Sequence, residues 1–219
     1  YNIENIWENQ NFSEKDFKKL HSFFWLFTID LKSSKKITRS VISSWTNFNQ
    51  NYSFKSWELD TLSKRIISWI ANSNSFYHEG DENFKINFTK ILKKQLNHLT
   101  NEIGNTEFVN DKMIGCSAII MGGLCFKHQM HYLNIGFQLL KKIINIIFDN
   151  DGFPKSRNPR QVIFYLKYFV FIRELLKDSN TDIPEYLNEI IFYLGQSFNF
   201  YFEENDGTFL FNGNHNLDT

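Results

Sequence analysis

The sequence predicts an all-α protein. Apolar residues recur at helical spacing along nearly the whole chain. Only 10 Gly and 3 Pro occur in 219 residues, too few for the turns of a β-sandwich. Hydrophobic residues make up 42%, with 24 Phe, enough for a packed core and against disorder over the whole chain.

Each element has its own signal. Ser13, Glu14 and Asp16 have the composition of a helix start, and Phe17, Leu20, Phe24, Phe27 and Leu31 continue it as one apolar stripe. A second helix is expected over 36–48. A third starts near Trp57 and carries Leu62, Ile66, Trp69 and Ile70. Residues 72–82 read as a polar break. A long helix follows, with Phe84, Phe88, Ile91, Leu92, Leu96, Leu99 and Ile103 on one face and Gly104 as its left-handed closing residue. The next spans about 110–127, and another carries Leu133, Phe137, Leu140, Ile144 and Ile147 before stopping at Asp149-Asn-Asp-Gly152. Pro159 suits the first turn of a helix running to Leu176, and Pro184 does the same for a last helix ending near Glu204. Residues 207–213 alternate like a short β-strand between two turns. These pieces make about seven or eight helices in hairpins, arranged as a bundle or an incomplete toroid. No strict repeat supports a solenoid.

Charge and cysteines narrow the function. The 24 Lys and Arg balance 24 Asp and Glu, so the basic excess of a general nucleic-acid binder is missing. Every apolar run is interrupted before it reaches membrane-spanning length. Cys116 and Cys125 lie about 13 Å apart on one helix, too far for a disulfide, and both are expected to be buried. Cys125, His128 and His131 are spaced like metal ligands but lack the accompanying cluster, so no metal and no cofactor are expected.

Three segments hold residues with chemical potential. In Asp151-Gly-Phe-Pro-Lys-Ser-Arg-Asn-Pro-Arg-Gln161, Arg157 and Asn158 stand at a helix N-terminus, a corner suited to a carboxylate or sulfate. The plainer reading pairs Arg157 with a nearby Asp and makes Asn158 a helix cap; spacing alone favours it. In the Trp57–Trp69 segment, Arg65 lies one turn before Trp69, so its guanidinium can cover the indole, and Trp faces also stack on sugars. A core Trp beside a surface Arg is the commoner arrangement. The third segment, Glu204 to Gly213, reads as turns around a strand.

In their order and spacing over about residues 55–213, these segments resemble the helical N-terminal domain of the heparinase II/III family of polysaccharide lyases. The residues concerned are Trp57 to Trp69, Asn110-Asp111 leading to Gly122-Gly-Leu124, Asp151-Gly to Ser156-Arg-Asn-Pro159, and Asp206-Gly to Phe211-Asn-Gly213. The resemblance implies an incomplete (α/α) toroid over 1–205. It makes 206–219 a short strand and linker leading to a β-sandwich domain of the same polypeptide. The start at Tyr1 and the end at Thr219 agree with a fragment of that kind. The implied reaction is β-elimination of a uronic-acid-containing polysaccharide: a base removes the C5 proton, an acid protonates the leaving oxygen, and amide or cationic donors neutralise the uronate.

By resemblance, Asn110 is the carboxylate-facing amide, Arg157, Asn158 and Gln161 line the cleft, Arg65 and Trp69 contact sugar, and Tyr165 is the candidate acid–base. Gln161 and Val162 occupy positions where the family usually places its Tyr and His, and Tyr165 lies one turn further on. This departure favours an alternative, a non-catalytic helical domain binding glycan or protein in envelope-polysaccharide metabolism. An inverting glycoside hydrolase ranks last, because no convincing pair of carboxylates is present. The expected partners are an acidic polysaccharide or oligosaccharide and the β-sandwich domain, with no nucleic acid and no membrane span. The resemblance implies the cell envelope or periplasm; the residues themselves leave the cytoplasm open.

Overall fold

The computed structural model describes residues 6–7, 12–126, 128–203 and 208–209. The protein is all-α. Its helices are α1 (Glu14–His21), α2 (Leu31–Phe48), α3 (Leu59–Ala71), α4 (Ser73–Phe76), α5 (Glu82–Glu102), α6 (Val109–Cys125), α7 (Met130–Ile147), α8 (Pro159–Asp178) and α9 (Glu185–Tyr201), with a 3-10 turn at Phe24–Phe27. Two-residue segments β1 (Phe202–Glu203) and β2 (Thr208–Phe209) pair antiparallel. The remainder of the expected 207–213 strand lies outside the described residues. The chain forms two compact units, one up to Gly136 and one from Phe137, and the division falls inside α7.

The first unit is built around α3, which packs against α6, α5 and α1. Its residues are buried on nearly every side, including the polar Thr61, Ser63, Arg65 and Ser68, so α3 is a central helix whose polar face is buried as well as its apolar one. Helix α6 is likewise buried continuously from Met113 to Gly123. Small residues let its neighbours close in: a Cβ on Gly123 would stand 2.8 Å from the backbone nitrogen of Leu133, and one on Gly115 would stand 2.5 Å from Ile103 Cδ1. The predicted face of α5 is largely the observed one, with Phe88, Ile91, Leu92, Leu96 and Leu99 buried. Asp81 caps that helix through the Phe84 N–H at 2.7 Å.

The stripe predicted from Phe17 to Leu31 is not one helix. The chain breaks at Phe23, whose backbone is left-handed with φ of 58°. That turn buries Phe23 completely against Trp7, Trp25, Trp45 and Trp69. It also aims the Phe23 carbonyl at Ser68 Oγ, which donates to it at 2.6 Å. Burial of one aromatic ring and a buried hydrogen bond outweigh the continuity of the stripe, and Phe27 is left half exposed.

Further corrections are local. Helix α2 begins at Leu31, earlier than expected, and the polar break contains α4, whose Phe76 is fully buried. Gly104 has no positive φ; α5 ends on Ile103 in a right-handed conformation, with its N–H on Leu99 O at 2.9 Å. Cys116 is buried, donating to Gly136 O, while Cys125 is exposed at the end of α6. Among the described residues no helix is long and apolar enough to cross a membrane.

In the second unit, α8 and α9 pack together across the connection 179–184. Its interior includes Phe148, Val162, Tyr165, Phe169, Ile172, Leu176, Leu187 and Leu194.

Candidate functional site

The Asp149–Gln161 corner is held by its own polar groups. Asp149 Oδ1 accepts the N–H of Asp151 at 3.1 Å and of Phe153 at 2.9 Å, an Asx-type turn. Gly152 has φ of 72° and packs on Tyr193, where a Cβ would stand 2.5 Å from the Tyr193 Cβ; only glycine meets both demands. Arg157 is also left-handed, at φ of 57°, which brings its Nη1 to 2.7 Å from Asp149 Oδ2. The Phe153 N–H, with Arg157 adding its charge, holds the Asp149 carboxyl below the usual carboxylate range.

Asn158 is the N-cap of α8, its Oδ1 accepting the Arg160 N–H at 3.0 Å, and Pro159 opens the helix. Gln161 Oε1 accepts from Ser156 Oγ at 2.7 Å. The plainer of the two sequence readings therefore describes this corner: Arg157 pairs with an Asp, and Asn158 caps.

A hollow of about 580 Å³ borders the same loop, lined by Asp149, Lys155 and Asn150 on one side and Tyr186, Glu189 and Tyr193 on the other. Lys155 lines it and donates to Asn145 O at 2.8 Å. Tyrosine faces beside amide, ammonium and carboxylate groups are the surface a sugar ring and its hydroxyls can use. The sequence reading missed Tyr186 and Tyr193, because they reach the loop from α9.

The other candidate residues are placed differently. Tyr165 is fully buried against Phe148, Phe164 and Phe169, and burial pushes its phenol up to about 12. Asn110 is exposed in the first turn of α6, in the first unit. Beside it, burial raises the Asp111 carboxyl, with Asp60 and Glu58 adding repulsion. Trp69 is in the core. Arg65 is fully buried too, and its guanidinium lies 4.1 Å over Trp45 instead of Trp69. Neither Arg65 nor Trp69 presents a face to a sugar.

The first unit has a cleft of its own, of about 750 Å³, with Trp7, Phe17, Phe48 and Phe54 in its walls and His21 and Ser56 among its buried lining residues. Among the described residues no group of three or more His, Cys, Asp or Glu is arranged to hold a metal ion. No family model matches the chain, and neither does any curated protein or solved structure.

Proposed function

We propose that the chain is the helical, substrate-binding portion of a heparinase II/III-like polysaccharide lyase, its hairpins arranged as an incomplete (α/α) toroid. The observation that carries this reading is the corner 149–161. The Asp-Gly and Ser-Arg-Asn-Pro residues on which the resemblance rests are the ones that build it, and its Asp149, Gly152 and Lys155 border a tyrosine-lined hollow.

In this reading the hollow takes a uronate-containing oligosaccharide. Lys155 offers charge to the carboxylate, and Tyr186 and Tyr193 offer ring faces. Arg157, held on the same loop by Asp149, adds a further cation for the uronate carboxylate. With the Tyr165 hydroxyl inside the core, the share assigned to this chain is binding, and the acid–base residues belong to the rest of the polypeptide.

Incubating the full polypeptide with uronic polysaccharides tests this. Ultraviolet absorbance from an unsaturated uronate product is the expected result, with turnover reduced about tenfold by Lys155→Ala. Absence of product across alginate, glycosaminoglycan and pectic substrates counts against it.

The second reading, a non-catalytic helical domain that binds glycan or protein, is favoured by Gln161 and Val162 standing where the acid–base pair is usual and by the burial of Tyr165. It predicts oligosaccharide or protein binding with no product from any substrate.

A further inference from the structure

The cleft of the first unit has features that the polysaccharide reading does not use. Its walls are aromatic, from Trp7, Phe17, Phe48 and Phe54. Trp7 is pinned by its Nε1 donating to Ser44 Oγ at 2.9 Å, and Phe17 is stacked on the His21 ring at 3.9 Å between centroids. At about 750 Å³ the space falls in the range that holds a small organic ligand, roughly 300–1,000 Å³.

The buried lining is rich in hydrogen-bond donors. His21 is 2% exposed, and its Nδ1 receives the Trp45 indole N–H at 3.0 Å. An indole nitrogen only donates, so Nδ1 is the acceptor and the imidazole proton sits on Nε2. Burial, with Arg65 nearby, drops the His21 pKa to about 3, which keeps the ring neutral and that tautomer fixed. Ser56 is 1% exposed, lines the same cleft, and its Oγ has no hydrogen-bond partner among the described residues. Both residues line one space, and each carries a buried donor.

Behind them lies positive charge with no counterion among the described residues. Arg65 Nη1 donates to the carbonyls of His21 and Ser56, each at 2.9 Å, and Nε donates to Gln95 Oε1 at 2.8 Å. All these partners are neutral, as is the Trp45 face. At the rim, Glu14 and Glu58 both pair with Lys18 at 2.9 Å, and Lys55 adds another cation. The lining itself is balanced, two carboxylates against two lysines. Arg65, held on the His21 and Ser56 carbonyls, places a cation beside the two buried donors, where an anion gains most.

We propose that this cleft binds a small aromatic monocarboxylate, its ring against the Trp7, Phe17, Phe48 and Phe54 walls and its carboxylate accepting from Ser56 Oγ and His21 Nε2. The proposal stands on the first unit alone and is independent of the polysaccharide reading.

Calorimetric titration of the chain with phenylacetate tests it, with phenylacetamide, acetate and glucuronate as controls. Saturable binding of phenylacetate is expected, at least tenfold tighter than any of the controls. Ser56→Ala should weaken it about tenfold, through loss of a hydrogen bond to a charged group. Phe54→Ala, at an 81% exposed position that the fold does not depend on, should weaken it severalfold. No binding at millimolar phenylacetate overturns the proposal. So does equal binding of phenylacetamide or glucuronate, and so does an affinity unchanged in Phe54→Ala and, where it folds, Ser56→Ala.

Discussion

Arg65 shows what one residue can do when it is buried among neutral partners. Its guanidinium ties the end of α1, the loop before α3 and the middle of α5 to the central helix, and it stacks on Trp45 of α2. Removing it leaves two carbonyls and an amide oxygen without their donor. Arg65→Ala should therefore cost about 3 kcal/mol or more, measured by denaturant unfolding. A change below about 1 kcal/mol would mean that these bonds are replaceable by water.

His21 supplies the pH signature. Its folded pKa of about 3 lies below the unfolded value near 6.5, so the unfolded chain binds the proton first. The stability this group contributes is complete above about pH 6.5 and is lost as pH falls toward 3. Between about pH 6.5 and 4.5, before most carboxylates titrate, unfolding free energy should drop with acidification, and His21→Gln should flatten that slope. A slope unchanged in the variant would contradict the assignment. None of this was legible locally. Arg65 looked like a surface partner for Trp69, and its real partners lie as far as 44 residues away in the chain.

At the scale of elements, the sequence was most informative where a signal is local. Asn158 as cap, Pro159 as first-turn residue and the apolar face of α5 follow from neighbours within a turn or two, and each is found in place. The break at Phe23 was hidden because 17, 20, 24, 27 and 31 keep helical spacing, while the residues that decide the geometry, Trp45, Ser68 and Trp69, come later in the chain.

Two substitutions test the elements directly. Asn158→Ala should cost about 1 kcal/mol by removing the α8 cap. Gly152→Ala should cost more than about 1 kcal/mol, since the alanine meets both a positive φ and the Tyr193 side chain. Thermal unfolding of the two variants gives the ranking, and Gly152→Ala as the milder of the two would contradict the close packing on Tyr193. Helix α6 makes the same point across elements: its Gly123 admits the backbone of α7, a contact that no periodicity analysis along α6 alone can anticipate.

For the whole molecule, the all-α class was legible because it depends on period and on the scarcity of Gly and Pro, both properties of the chain itself. The division into two units was not, because it depends on which helices pack together. The same distinction separates the candidate sites. The 149–161 corner could be found from its turn residues, whereas the hollow beside it needs α9 and the first cleft needs α1, α2 and the loop before α3. A balanced net charge leaves any preference for acidic glycans to local groups such as Lys155.

That preference is the central claim, and isothermal titration of the chain with uronate oligosaccharides against neutral ones of equal length measures it. The account predicts binding of the uronate series alone, weakened about tenfold by Lys155→Ala and by added salt. Equal binding of the neutral series, or none of either, would contradict it.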